Sequence, residues 1–478
     1  MKKQFLILTL GAALLFASCS SKSDDININP PTTNEDVVVV SGDITANTTW
    51  SANKIYLLKG GVYVVNNATL TIEPGTIIKG DKGTKGALII TRGAKIMAVG
   101  TVDKPIVFTS NIASGGRSQG DWGGVILLGK APNNGGTDVQ IEGIDPSAKG
   151  KHGGTDPADN SGTMQYVRIE YAGIPLSVDN EINGLTFGSV GSGTTIDHIE
   201  VYRSGDDAYE WFGGTVNAKY LLAIDTWDDD FDTDNGFSGK VQFGLAQRLA
   251  STADVSGSNG FESDNNAAGD NKTPQTSAVF SNMTIIGPVD KAGAGSINAN
   301  FQHAAQIRRN SAISIFNSVF VGYTEGIFYD DALPAGGTEN SSNSLLTGKS
   351  VFANNLVLGS NGKGNQLKAS NAVALAAITP GLTANNTFDA GVYAASVMTD
   401  PYKYSKDIVA AAKVGVPNFT LAAGSSAATG AKFTDAKLAS GFDNSVAFKG
   451  AFGTTDWTTG WAHFDPQSLP YDKPGAVK

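Results

Sequence analysis

"ATLTIEPGTIIKG", residues 68–80, places apolar side chains at alternate positions around a Pro-Gly turn, and similar units return along the chain. Leu70, Leu88 and Ile106 occupy matching places in three such units, eighteen residues apart. Alternation of apolar and polar residues is the period of a strand face, and Gly, Asn or Pro separates one unit from the next. The sequence therefore predicts short strands at a fixed pitch.

The repeat continues with longer turns, because Val201, Leu222 and Phe243 lie twenty-one residues apart. No helical stretch between the strands could serve as a crossover, so a βαβ sheet is excluded. A β-sandwich would alternate as well, but it would not keep a constant pitch. The pattern favours an all-β fold, a single-stranded right-handed parallel β-helix whose turns pair with one another. Early isoleucines six residues apart are typical of a left-handed helix, but later turns lose that period.

The chain divides into four predicted parts. Residues 1–18 form a signal peptide, 19–36 a polar tether, 37–399 the β-helix, and 400–478 a mixed C-terminal capping segment. About fourteen turns, each about 4.8 Å high, would fit into the β-helix. A cap is expected because the end of a β-helix exposes an unpaired strand edge that invites aggregation.

The N-terminal stretch "MKKQFLILTLGAALLFASC" has two lysines, a short apolar run and small residues before Cys19. This is the pattern of a secretory signal, and its end resembles a bacterial lipobox, in which the cysteine is lipidated. We predict lipidation at Cys19 and anchoring by acyl chains alone. Asp24 and Asp25 resemble a signal for the outer face of the outer membrane. The alternative is an ordinary signal peptide followed by an unrelated cysteine.

The net charge and the cysteine content exclude one class of partner and one kind of covalent bond. A formal net charge of -10 repels phosphate backbones, so nucleic acid is excluded as a partner. Cys19 is the single cysteine, so no internal disulfide can form.

The stretch "DTWDDDFDTDNG", residues 225–236, holds six aspartates in a chain with only 17% charged residues. The twenty-one-residue pitch predicts that Asp207 lies directly below Asp228 on the adjacent turn. Asp230, Asp232 and Asp234 continue the series on one side of an extended chain. Clustered carboxylates must protonate, spread into water or bind a cation. We predict a calcium site formed by these five aspartates, with a solvated acidic turn and a catalytic role as the alternatives.

Three aromatic residues flank these carboxylates. Tyr209, Trp211 and Trp227 are candidate ligand contacts, because an exposed ring can stack on a sugar face. Trp211 could equally begin a buried strand, and Trp227 is the better exposed candidate.

Several motifs resemble a large group of Bacteroidota β-helix surface lipoproteins. They include "LTIEPGTIIKG", "GDWGGVILLGKA", "EINGLTFGSVGSGTTIDHIEVYRSGDDAYEWFGGTVNAKY" and "FKGAFGTTDWTTGWAHFDP", and the resemblance covers most of the chain after the tether. It implies a pectate-lyase-like right-handed β-helix on the cell surface. It implies no reaction and no catalytic residues.

Three functions remain open. The favoured one is a non-enzymatic outer-membrane lipoprotein, facing the exterior, that binds a polysaccharide or other polymer and works with a TonB-dependent receptor. The second is a calcium-dependent polysaccharide lyase or glycoside hydrolase. "SGDDA" resembles the paired aspartates of polygalacturonases, but their Gly-His-Gly and Arg-Ile-Lys elements are missing. The third is a structural or adhesive surface protein.

Overall fold

The computed structural model describes residues 36–141, 143–177, 180–291, 294–334, 337, 339–360, 366–403 and 415–478. The predicted signal peptide, the lipidation site Cys19 and nearly all of the tether lie outside these residues. None of the helices in the described ranges is long and apolar enough to span a membrane.

The described chain is built mainly from short strands. The strands of its first half are β1 (Val37–Ile44), β2 (Thr48–Trp50), β3 (Ile55–Val64), β4 (Thr69–Ile72), β5 (Ile77–Gly80), β6 (Ala87–Ile90), β7 (Lys95–Val99), β8 (Ile106–Ser110), β9 (Val125–Leu128), β10 (Val139–Gln140), β11 (Lys151–His152), β12 (Gly162–Glu170), β13 (Pro175–Ser177), β14 (Asn180–Glu181), β15 (Leu185–Val190), β16 (Thr195–Tyr202), β17 (Tyr209–Gly214), β18 (Asn217–Ile224), β19 (Phe231–Asp234) and β20 (Lys240–Gln247).

The described part of the second half contains further strands and three α-helices. These are β21 (Phe261–Ser263), β22 (Val279–Ser281), β23 (Thr284–Ile286), β24 (His303–Ile307), β25 (Ser314–Phe316), β26 (Val319–Tyr323), β27 (Glu325–Tyr329), α1 (Ser341–Leu346), β28 (Phe352–Ala353), β29 (Leu356–Ser360), β30 (Leu367–Ala369), α2 (Ala372–Asn385), β31 (Thr387–Asp389), α3 (Ala394–Val397), β32 (Met398–Asp400) and β33 (Asn418–Leu421).

Parallel pairing arranges the main strands as three faces of one coil. Face 1 runs β1, β3, β5, β8, β12, β16, β18, β20, β23, β26, β29 and β31. Face 2 contains β6, β9, β15, β17, β19, β21, β24, β27 and β30. Face 3 begins at β2, β4 and β7 and continues through the first halves of the longer strands to β28. The molecule is thus a right-handed parallel β-helix, as the sequence predicted.

The predicted pitch was wrong in the early turns. Leu70 pairs with Ile96, and Leu88 pairs with Val125, so neither stacks on the other. Leu70, Leu88 and Ile106 lie on faces 3, 2 and 1, because the eighteen-residue spacing links different faces of successive coils. Face 1 holds twelve strands, fewer than the expected fourteen turns, since long connections such as 129–161 consume chain.

The later spacing is off by one or two residues. Val201 pairs with Ala223, twenty-two residues on, and Leu222 pairs with Leu245, twenty-three residues on. Tyr220 and Phe243 adopt the left-handed backbone region, with φ of 58° and 63°. A bend at that position interrupts the alternation of the strand. Leu222 consequently lies on the outside of the coil, where residues from later in the chain bury it. Leu221 lies within the inner core.

Inside the coil, stacked apolar side chains form one continuous core. It includes Leu88, Ile90 and Phe108, which the sequence placed there. Tyr209 and Phe231 stack at 5.6 Å between ring centroids on adjacent coils.

The C-terminal segment, residues 415–478, lies along the side of the coil. Asn317 exchanges hydrogen bonds with the backbone of Lys432, and farther back Glu200 accepts the N–H of His463 at 2.9 Å. The segment therefore runs from late coils toward early ones. This differs from the predicted end cap of residues 400–478. Helix α2 covers the coil end instead, because its Ile378 and Leu382 join the inner core.

Candidate functional site

An acidic column stands on the outer side of face 2. Glu210, Asp232 and Glu262 occupy the same register position on β17, β19 and β21. Alternation along β17 turns Tyr209 and Trp211 inward and leaves Glu210 outward. Adjacent parallel strands are about 4.8 Å apart, so the three carboxyl groups are stacked closely.

The turns that lead into these strands are acidic too. Asp207 Oδ1 accepts the backbone N–H of Asp229 at 2.8 Å, and Asp229 Oδ1 accepts the N–H of Asn259 at 2.5 Å. Asn259 continues the series by accepting the N–H of His303 at 3.0 Å. This ladder of Asp and Asn side chains satisfies backbone donors that the turns would otherwise leave unpaired. Asp207 is therefore a structural residue whose carboxylate also borders the acidic cluster.

Ladder and column together form two overlapping carboxylate groups. Asp206, Asp207 and Asp228 make the first, and Asp207, Glu210 and Asp232 the second, with ligand oxygens within 4.8 Å of one another in each. Among the described residues, Asp228 Oδ1 and Asp232 Oδ1 are buried and lack a hydrogen-bond partner. We call these five residues the acidic site.

Burial makes the acidic site hard to ionise. Desolvation raises the pKa of Asp206, Asp207, Glu210 and Asp232, and neighbouring carboxylates raise it further. Asp228 has a pKa raised to about 6, again mainly by desolvation. Without a cation, burial and mutual repulsion therefore favour the protonated forms of these carboxyl groups.

Two further carboxyl groups border the acidic site, Asp234 on the same strand as Asp232 and Glu262 on the next coil. Desolvation raises the pKa of Glu262 to about 8 and that of Asp234 to about 7. Arg308 forms ion pairs with Glu262 and Asp264 and partly offsets their charge. Asp234 belongs to neither carboxylate group, because it stands two residues beyond Asp232 on β19.

Asp230 has a different environment from the one predicted. It is fully buried and forms an ion pair of 3.0 Å with Arg248, and the hydroxyl groups of Thr226 and Tyr323 donate to it. Arg248 also donates to the carbonyl groups of Thr226 and Asp228. The carboxylate of Asp230 is thus neutralised inside the coil and is not available to the predicted calcium site.

The sequence predicted that Asp207 lies beneath Asp228, but the spacing of twenty-two residues between coils places it beneath Asp229. Asp207, Asp228 and Asp232 nevertheless lie close together. Asp206 and Glu210 were missed, although the doublet "DD" and the alternation around Trp211 were available signals.

The three aromatic candidates differ in their exposure to solvent. Tyr209 and Trp211 are both 0% exposed. The Tyr209 hydroxyl donates to the carbonyl groups of Ile199 and Leu222, and Trp211 stacks on Phe187 at 5.3 Å. Neither ring is within reach of a ligand. Trp227 is 43% exposed and stands beside Asp228 at the edge of the acidic site.

Coil, ladder and outward column together define a parallel β-helix protein with a lateral acidic site. Residues 42–396 match the family described as a pectate-lyase like beta helix domain, and the chain belongs to that family.

One solved structure that the comparison matches to this chain is the Dettilon tailspike protein, at 11% identity and a TM-score of 0.23. The match covers 71% of this chain and 63% of the tailspike chain. Similarity this low does not support transfer of function. Comparison with curated proteins finds no match.

Proposed function

We propose that the protein binds a polysaccharide or similar extracellular polymer along face 2, with calcium held in the acidic site. The observation that carries this proposal is the pair of carboxylate groups that share Asp207 and keep two buried oxygens without partners. Buried carboxylates of this kind are stabilised by protonation or by a cation.

The residues present fit calcium. Every donor in the two groups is a carboxylate oxygen, the ligand type that calcium prefers, and calcium tolerates irregular geometry. Asp206, Asp228, Glu210 and Asp232 would hold the ion, with Asp207 between them. When bound, calcium would offer coordination positions to hydroxyl or carboxylate oxygens of the polymer.

The surface around the acidic site suits an extended ligand. The outward column continues from Glu262 to Gln306, Phe328 and Lys368 on the following coils. It therefore presents carboxylate, amide and ammonium groups in a line parallel to the coil axis. Trp227 adds an exposed ring at the acidic end.

The proposal includes a location at the outer membrane. Its support is the sequence around Cys19, with the expected acyl anchor and an outward orientation. A TonB-dependent receptor is the proposed partner for uptake of the bound polymer.

Binding of polysaccharides to the full chain on a glycan array, with calcium or with EDTA, tests the proposal. We expect binding that needs calcium and a melting temperature that rises with the logarithm of calcium concentration above the dissociation constant. The double variant Asp228→Asn, Asp232→Asn should lose both effects. Asp389→Asn, at an exposed acidic residue that ends β31, is the matched control. Melting that is indifferent to calcium, or equal glycan binding in EDTA, would contradict the proposal.

A glycoside hydrolase or lyase is the second candidate. Carboxyl groups with pKa values of about 6, 7 and 8 at Asp228, Asp234 and Glu262 could act as general acids near neutral pH. Release of reducing or unsaturated ends from a bound polysaccharide would favour this candidate. Glu262→Gln should then remove activity and leave binding intact.

A further inference from the structure

A cavity of about 470 Å³ lies between the coil and the C-terminal segment, away from the acidic site. Tyr220 and Phe243 form its floor, and Leu421, Ala428 and Trp457 are among its walls. Well-packed interiors contain few voids larger than a water molecule, whereas ligand pockets typically span about 300–1,000 Å³. We call this cavity the lateral pocket.

The backbone of the coil explains why the pocket forms here. Tyr220 and Phe243 occupy one corner of successive coils, each in the left-handed region. Asn317, with φ of 52°, has the same conformation at the corresponding corner of a later coil and binds the backbone of Lys432. Asparagine thus holds the C-terminal segment against the coil, whereas the two large rings hold it away. Bulky residues rarely adopt positive φ, so the rings are placed here at an energetic cost.

The inner surface of the lateral pocket is mainly apolar. Tyr220 and Phe243 stack at 5.1 Å between centroids, with planes 17° apart. Trp457 meets Tyr220 edge-on at 5.2 Å. Ring surfaces and alanine methyl groups therefore surround the space, and a ligand with an apolar body would fit it.

One charged side chain, Asp443, stands among the described residues that line the pocket. Its Oδ1 accepts the N–H of Ser445 at 3.0 Å and the Ser445 hydroxyl at 2.6 Å. These hydrogen bonds lower the pKa of Asp443, so the carboxylate is ionised at neutral pH. An anionic ligand would be repelled, and a cationic group would be complementary.

We propose that the lateral pocket binds a small organic monocation with an apolar body, the ammonium group at Asp443 and the hydrocarbon part over Tyr220 and Phe243. This binding is independent of calcium and of the polymer proposed for face 2.

Isothermal titration of the full chain with three octyl probes tests the inference. We expect octyltrimethylammonium to bind more tightly than octanol, and octanol more tightly than octanoate, with no change in EDTA. Absence of binding by all three probes, or octanoate binding as tightly as the ammonium, would overturn the inference.

Two variants place the binding in the pocket. Ala428→Trp should fill the space and abolish binding, whereas Ala439→Trp, exposed and outside the pocket, should not. Asp443→Asn should weaken the ammonium by about two- to fivefold, as for an exposed ion pair, and leave octanol unchanged. Unchanged ammonium binding in Ala428→Trp would place the probe elsewhere and overturn the inference.

Discussion

The carboxylate of Asp207 accepts the backbone N–H of Asp229 at 2.8 Å, one coil farther along. This contact sets the two acidic turns twenty-two residues apart and makes aspartate part of the architecture. Asn259, one coil beyond Asp229, accepts the backbone N–H of His303 in the same way through a neutral amide. The density of negative charge is therefore partly structural, and the remaining carboxylates form the acidic site proposed to bind calcium.

Asp229 should tolerate asparagine but not alanine. Asp229→Asn keeps the acceptor for the Asn259 N–H. It also removes a carboxyl group that is costly to ionise, because burial raises its pKa. We expect Asp229→Asn to melt at or above the wild-type temperature at pH 8. Asp229→Ala leaves that N–H unpaired, at a cost of about 1–3 kcal/mol. Equal melting temperatures for the two variants would show that the ladder contributes little.

Asp230 should behave differently from its neighbour Asp228. Asp230→Ala leaves Arg248 buried without its ion pair, and such a loss typically costs about 3–5 kcal/mol. Asp228→Asn should be neutral or stabilising without calcium, because it relieves repulsion at the acidic site. Urea unfolding in EDTA compares the two. A large loss for Asp228→Asn and none for Asp230→Ala would reverse our assignment.

Trp211 and Trp227 should affect different properties. Trp211→Ala opens a cavity in the inner core, and removal of a buried aromatic ring costs about 3–5 kcal/mol. Trp227→Ala should leave the free energy of unfolding nearly unchanged and weaken polysaccharide binding. Denaturant unfolding measures the free energy of unfolding, and the glycan array measures polysaccharide binding. Unimpaired binding by Trp227→Ala would remove that ring from the ligand surface.

Glu200 should make stability depend on pH. Burial raises its pKa to about 8, from an ordinary value of 4.5 for a glutamate side chain. The stabilising contribution of the protonated group is complete below pH 4.5 and is lost as pH rises through 8. Each pH unit within that window lowers the free energy of unfolding by about 1.4 kcal/mol.

Glu200→Gln keeps an acceptor for His463 and removes this titration. Its stability relative to wild type should therefore increase between pH 5 and pH 8, as measured by urea unfolding. Glu73→Gln, at an exposed position, is the control. A constant difference across this range would mean that Glu200 is ionised in the folded protein.

Cys19→Ala tests the predicted anchor. The variant should fail to incorporate labelled fatty acid, and it should leave the membrane fraction or remain unprocessed. Label uptake by the variant, with outer-membrane fractionation, would contradict lipidation at Cys19.

The period of two in stretches such as residues 68–80 was enough to predict strands, and the lack of crossover helices was enough to predict a coil. Both signals are local, because each strand of a β-helix must bury alternate side chains whatever lies above it. Clustering of aspartates likewise predicted where negative charge would collect. Leu88, Ile90 and Phe108 were correctly placed inside for the same reason.

Tertiary structure determined the register between strands, which side chains contact one another, and which side chains are exposed to solvent. Left-handed bends at Tyr220 and Phe243 shifted the alternation by one position and turned Leu222 outward. Arg248, eighteen residues beyond Asp230 in the sequence, neutralised that aspartate. The inward orientation of Tyr209 and Trp211 on β17 buried both rings. A linear pattern reports which side chains are apolar or charged, but only the stacked coils determine which of them meet, because pairing between turns depends on the length and bend of every intervening corner.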